Sequence, residues 1–228
     1  MQTFDRVKLL IGEENYLKIK NSKIAVFGVG GVGGYVCEAL VRSGVENITI
    51  FDNDKVSESN LNRQIISNRL VLGKDKVDVC RERILSINPN AKVNAEKVFY
   101  LPENADNYDL SQYDYIVDAV DTVTAKLEII QRAKNNNVKV ISCMGTGGKL
   151  QPLMLKVGDI KETKVCPLAR VMRRELKKLG IEDLLVVYSL ENPLAKSQKA
   201  KTPPSMIFVP ATAGLIIAKE VIEYIINR

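Results

Sequence analysis

Between Ile24 and Gly34 the chain reads IAVFGVGGVGG, a stretch that leaves little freedom in what can form around it. Lys23 to Phe27 is a short apolar, β-branched run of the kind that makes a buried parallel strand. It passes directly into Gly28, Gly30 and Gly33, spaced as G-x-G-x-x-G, and then into a helical pattern carried by Val36, Ala39 and Leu40. In such a strand–turn–helix unit the first glycine allows the tight turn and the second lets the backbone approach a phosphate. The third lets helix pack closely on strand. The phosphate then sits on free N–H groups at the positive end of the helix. A second apolar strand, Asn47 to Phe51, ends at Asp52, nineteen residues after Gly33, where a carboxylate accepts ribose hydroxyls. The pattern predicts nucleotide binding. The bland alternative is a tight turn in an unliganded α/β domain.

The rest of the chain alternates in the same way. One or two short amphipathic helices, broken near Gly12, are expected over 4–20. Helical periodicity runs over 74–85, with Val77, Cys80 and Ile84 on one face, and INPN at 87–90 is a stop signal. Further strands are expected at 93–99, 113–120 and 139–143, with a helix over 122–135. Beyond Gly148, strands are expected at 153–157 and 184–190, a basic helix at about 168–179 and a final helix at 210–226. Alternating strands and helices imply right-handed crossovers, a parallel sheet, and ligands at the strand C-termini. The fold class is therefore α/β: a Rossmann-like nucleotide-binding domain extended by further strands, expected to be antiparallel, and helices. No linker or repeat divides the chain, so one domain is expected, with a nucleotide-binding half over about 20–150 and a substrate-side half over about 151–228.

Composition narrows the chemistry. The 228 residues include no histidine, so a histidine general base is excluded. The four cysteines, Cys37, Cys80, Cys143 and Cys166, form no C-x-x-C pair, which argues against a structural zinc site. Burial is the expected role of the first three. The opening MQTFDRVKLL lacks a signal-peptide core, which points to the cytoplasm. The apolar run 206–218 is too short to span a bilayer and is followed by Lys219, Glu220 and Glu223, so it reads as a half-buried helix.

The combined motifs resemble the ubiquitin-activating-enzyme-like superfamily, which includes the sulfur-carrier adenylating enzymes. They are the glycine loop, Asp52-x-Asp54, Asn60-Leu61-Asn62-Arg63-Gln64, Lys76 and DAVDT at 118–122. Within that superfamily the chain is most similar to the tRNA threonylcarbamoyladenosine dehydratases. The signs are F-x-R-x-x-x-L-x-G at 4–12, SINPN at 86–90, PLARVMRREL at 167–176 and FVPATAGLIIA at 208–218. The resemblance implies ATP as co-substrate, with Gly28, Gly30, Gly31 and Gly33 as cradle and Asp52 on the ribose. It implies that Asp54, Asn60, Arg63, Gln64 and Lys76 gather at the triphosphate, and that Asp121 holds Mg²⁺. Arg63 supplies a planar fork for phosphate oxygens and Lys76 a point charge. Arg6 matches a superfamily arginine that reaches the partner subunit's site, which implies a homodimer.

The substrate so implied is tRNA modified beside the anticodon, its threonyl carboxylate activated by ATP and then cyclised. A basic segment, with Lys161, Lys164, Arg170, Arg173, Arg174, Lys177 and Lys178, fits a nucleic-acid footprint, as do Lys196, Lys199 and Lys201 in the later loop. A solvated helix face is the alternative for such a run. The rival activity is adenylation of a sulfur-carrier or ubiquitin-like protein. Several such relatives carry two C-x-x-C pairs, absent here, and a sulfur-transfer protein partner stays open. Cys166, followed by Pro167 instead of threonine, is held as a minor sulfur or thioester candidate. An NAD-dependent oxidoreductase would leave Asn60, Arg63, Gln64 and Lys76 without a purpose. A non-enzymatic nucleotide sensor is a further alternative, which pyrophosphate release would exclude.

Overall fold

The computed structural model describes residues 2–194 and 203–228. In chain order the elements are α1 (Asp5–Ile11), α2 (Glu13–Asn21), β1 (Lys23–Phe27), α3 (Gly33–Arg42), β2 (Asn47–Phe51), α4 (Lys76–Ile87) and β3 (Lys92–Glu96). They continue with β4 (Tyr115–Asp118), α5 (Val123–Asn135), β5 (Lys139–Cys143), β6 (Leu155–Asp159), α6 (Pro167–Lys178), β7 (Leu185–Ser189) and α7 (Phe208–Ile226). The seven strands form one sheet in the order β3-β2-β1-β4-β5-β7-β6. Six run parallel, and only the edge strand β6 pairs antiparallel, Val157 opposite Val187. Of the two late strands, then, β7 continues the parallel sheet beside β5.

Alternation along the strands sends successive side chains to two cores. Ile24, Val26, Ile48, Ile50 and Val117 pack under α3, α4 and α7 on one face. Ala25, Phe27, Ile116, Val140 and Val186 pack under α5 and α6 on the other. Strands buried on both faces need continuous apolar sequence, which is why the central runs lack the polar alternation of half-exposed strands. Packing of α7 on α3 is close: a Cβ on Gly214 would lie 2.5 Å from the Val32 carbonyl oxygen, so glycine is needed there.

Several boundaries differ from expectation for local reasons. The strand expected to reach Phe99 ends at Glu96, because the Val98 N–H bonds back to the Glu96 carbonyl at 3.0 Å and turns the chain out of the sheet. β4 stops at Asp118, where its partner β1 stops at Phe27. Helix α4 starts at Lys76, two residues late, since Lys74 and Asp75 are tied to Val56 and Lys55. Helix α7 starts two residues before Pro210, which falls in its first turn where a missing N–H costs nothing. Among the described residues no helix is long and apolar enough to cross a membrane.

Candidate active site

The strand order reverses between β1 and β4, and the C-terminal ends of these strands open a crevice. Gly28 leaves β1 with φ +84°, and a Cβ there would lie 2.9 Å from the Ala119 carbonyl oxygen. Only glycine fits that turn without strain. A Cβ on Gly33 would fall 1.7 Å from the Gly28 carbonyl oxygen, so the start of α3 sits directly on the turn. At Gly30 the nearest neighbour is the Gln64 amide, 3.7 Å away, which leaves open space beside the backbone. The N–H groups opening a helix lack partners within it and carry its positive end, so this is a place for an anion.

The floor is polar and already braced. Asp52 accepts from the backbone N–H of Val29 at 2.9 Å and of Asp54 at 2.8 Å, which holds the glycine loop against the end of β2. Burial pushes its carboxyl above the ordinary aspartate range, against the opposing pull of Lys76 and these two N–H groups. Lys76, 5 % exposed, donates from Nζ to Asp54 Oδ2 at 2.7 Å, which leaves two ammonium hydrogens for other acceptors. Asn60 Oδ1 accepts from the Ser57 N–H at 3.0 Å and shapes the turn that carries Arg63. Arg63 Nη1 donates to Ser59 O at 2.8 Å and Asn62 Oδ1 at 3.0 Å, so the guanidinium is aimed before any ligand arrives. Gln64 Oε1 is buried with no partner, an acceptor that a ligand hydroxyl or water would satisfy.

On the opposite side Asp121 is exposed just before α5. Its loop is anchored by a pair that sequence reading missed. Lys126 donates from Nζ to Asp118 Oδ2 and to the Val120 carbonyl, both at 2.9 Å, and Ser142 Oγ donates to Asp118 Oδ2 at 2.6 Å. Lys126 and Asp118 are each 0 % exposed. A lysine on a helix ordinarily reads as a surface charge, so only its spacing eight residues after Asp118 hinted at a partner. The loop after β5 is braced as well. Lys149 Nζ donates to the Gly145 carbonyl at 2.6 Å, with burial drawing its pKa down, and Glu191 accepts from the Leu150 and Gln151 N–H groups.

These walls enclose a cleft of about 500 Å³, within the range of small-molecule sites. Gly28, Gly30, Gly31, Asp52, Asp54, Asn60, Arg63, Gln64, Lys76 and Asp121 all line it. Gly33 lies behind them, serving the turn. The apolar wall of Phe51, Val98, Phe99 and Tyr100 was not foreseen. It arises where the chain leaving β3 meets Phe51 at the end of β2, and a flat apolar wall suits a nucleobase. Its base is rigid: Phe27 and Phe51 stack with centroids 4.2 Å apart, and Tyr100 meets Phe27 edge-on at 4.9 Å. Such pairs are worth about 0.5–1.5 kcal/mol each beyond burial.

Arg6 is exposed on α1 and does not line this cleft. Cys166 is buried ahead of α6, and Cys37, Cys80 and Cys143 are buried too. Burial pushes the Cys143 thiol up to about 12. Lys196, Lys199 and Lys201 lie outside the described residues.

The model of the ThiF family matches residues 4–228. A Bacillus subtilis protein named tRNA threonylcarbamoyladenosine dehydratase is 38 % identical, covering 97 % of this chain and 94 % of its own length. Solved structures of the Escherichia coli tRNA N6-threonylcarbamoyladenosine dehydratase in complex with AMP and with ATP superpose with TM-scores of 0.93 and 0.92. Each is 31 % identical, over 99 % of this chain and 94 % of the other.

Proposed function

This chain belongs to the ThiF family, and from that premise we propose that it is an ATP-dependent tRNA dehydratase, which adenylates the threonyl carboxylate of threonylcarbamoyladenosine in tRNA and cyclises it. The observation that carries this reading is one cleft in which the glycine loop, Asp52, Arg63, Lys76 and Asp121 converge at the strand ends. The dehydratase name and the ATP and AMP complexes of the relatives support it.

In the first step a carboxylate oxygen attacks the α-phosphorus in line. An O–P bond forms, the bond to the β-phosphate oxygen breaks, and pyrophosphate leaves. In the second, a nitrogen or oxygen of the same modified base attacks the acyl carbon. The bond to AMP breaks, and the water lost from the base departs as an oxygen on AMP and a proton. The first nucleophile is already an anion, so the step needs no base from a chain that has no histidine. What the protein supplies is position and charge. The start of α3 and Gly30 seat phosphate, Asp52 takes the ribose, and the apolar wall takes the adenine. Arg63 and Lys76 offset charge that grows on the phosphoryl oxygens.

Asp121 would hold Mg²⁺. Among the described residues no group of three or more carboxylate or thiol side chains comes together as a protein-only cage. A single exposed carboxylate suits an ion that binds through one or two carboxylates plus phosphates. Bound there, Mg²⁺ would neutralise phosphate charge. Arg6 would act in a partner subunit's cleft, which makes the working form a homodimer, and a tRNA substrate sets the work in the cytoplasm. The nucleotide half over about 20–150 and the substrate half over about 151–228 then work as one adenylating domain.

The test is nucleoside mass spectrometry after incubation with ATP, Mg²⁺ and tRNA carrying the modification. Loss of one water per pyrophosphate released is expected. ATP consumption without any change in nucleoside mass would point instead to a carrier protein's C-terminus as the carboxylate.

A further inference from the structure

The basic segment separates into two sets once it is folded. Residues 161–178 hold seven cations against two acids, in a chain whose formal net charge is +6. Four of the seven are engaged. Arg173 turns inward and donates to the Thr163 carbonyl at 2.7 Å. Arg174 and Lys178 both reach Glu175 at 2.7 Å, and Lys161 lies 4.0 Å from Glu182. Lys164, Arg170 and Lys177 are exposed, and among the described residues no carboxylate lies within 4.0 Å of them.

Their placement relates them to the cleft. Helix α6 begins at its rim: a Cβ on Gly145 would lie 3.3 Å from Cys166 Sγ and 3.9 Å from Leu168 Cβ, and the neighbouring Thr146 lines the cleft. From there α6 keeps Ala169, Met172 and Leu176 buried beneath it, while Arg170 and Lys177 are exposed. Arg170 and Lys177 are seven residues apart, about 10 Å along the axis, so each would meet a separate phosphate.

We infer that Lys164, Arg170 and Lys177 form a track on which the phosphate backbone of the tRNA arm rests while its modified nucleotide enters the cleft. This rests on the activity proposed above. Unpaired cations that keep clear of neighbouring carboxylates are free to release phosphate counterions on contact, and so give salt-dependent, sequence-independent affinity. The carboxylate-bound Arg174 and Lys178 contribute less, since a phosphate would have to displace Glu175.

The test compares the triple variant Lys164→Ala/Arg170→Ala/Lys177→Ala with the control Arg174→Ala/Lys178→Ala. All five side chains belong to the surface helix or the turn before it. The readouts are ATP affinity, KM for modified tRNA and the salt dependence of tRNA binding. The triple variant should bind ATP as before, raise the tRNA KM by about 10-fold or more, and flatten the log–log salt slope by about two to three. The control should change the tRNA KM less than about threefold. An unchanged KM and slope in the triple variant, with wild type turning tRNA over, overturns the track alone. A wild type that never alters tRNA overturns the activity and the track with it. Loss of binding to vesicles of anionic phospholipid, with tRNA binding intact, would make this a membrane-facing patch and also overturn the track.

Discussion

Removing one charge from the pair behind the Asp121 loop should cost far more than removing a surface ion pair. Asp118→Asn keeps the shape of the side chain but removes the counter-charge of the Lys126 ammonium, 0 % exposed, which is left with neutral oxygens alone, the Val120 carbonyl at 2.9 Å among them. Breaking a buried pair from one side costs about 3–5 kcal/mol, because the remaining charge stays out of water without compensation. For a chain of 228 residues each kcal/mol moves Tm by about 2–4 °C, so a fall of about 6–20 °C is expected. Adding Lys126→Met removes the stranded charge and should restore much of the loss, giving a coupling of about 2 kcal/mol or more. Urea unfolding of the two single variants and the double, with the m-value as a check on two-state behaviour, measures this. Single losses below about 1 kcal/mol, or additivity within about 0.5 kcal/mol, would refute the claim that this pair anchors the loop.

A Cβ at Gly33 has nowhere to go, 1.7 Å from the Gly28 carbonyl oxygen. Gly33→Ala should therefore abolish ATP binding in calorimetry and cost about 1–3 kcal/mol of stability. Asp52→Asn removes the charged acceptor proposed to take the ribose and should weaken ATP by about 10- to 100-fold. The pH dependence follows from the raised carboxyl of Asp52. Folding favours its protonated form, so its unfavourable effect on stability is present above its folded pKa and relieved as pH falls through it. ATP affinity has the opposite sign: it should fall on acidification, starting at a higher pH than an ordinary aspartate would give, and Asp52→Asn should flatten that limb. Cys166→Ser should leave cyclisation intact, since the thiol is buried and does not line the cleft; lost turnover would show a sulfur role instead.

What the sequence made legible was local. Lys23–Phe27, the three glycines and Asp52 lie within thirty residues of one another, and a strand, a turn and a helix placed in series nearly determine their own geometry. Arg63, Lys76 and Asp121 needed the family motif, because each alone reads as a solvated charge or a cap. Two features, one wall of the cleft and the pair behind its Asp121 loop, were out of reach. The wall of Val98, Phe99 and Tyr100 depends on a turn at Glu96–Val98, which no hydrophobic period records. The Asp118–Lys126 pair depends on burial from both sheet and helix, which exists only after the layers close. The direction of β7 was hidden for a related reason: it inserts between β5 and β6, and that choice of neighbour is tertiary.

The most direct measurement follows the oxygen. Modified tRNA carrying oxygen-18 in the threonyl carboxylate is turned over with unlabelled ATP, and AMP, pyrophosphate and phosphate are analysed by mass. Attack on the α-phosphorus predicts one heavy oxygen in AMP and none in pyrophosphate, with Asp121→Ala yielding no labelled AMP. Heavy oxygen in inorganic phosphate, or cyclised base alongside unlabelled AMP, would contradict adenylation as the route.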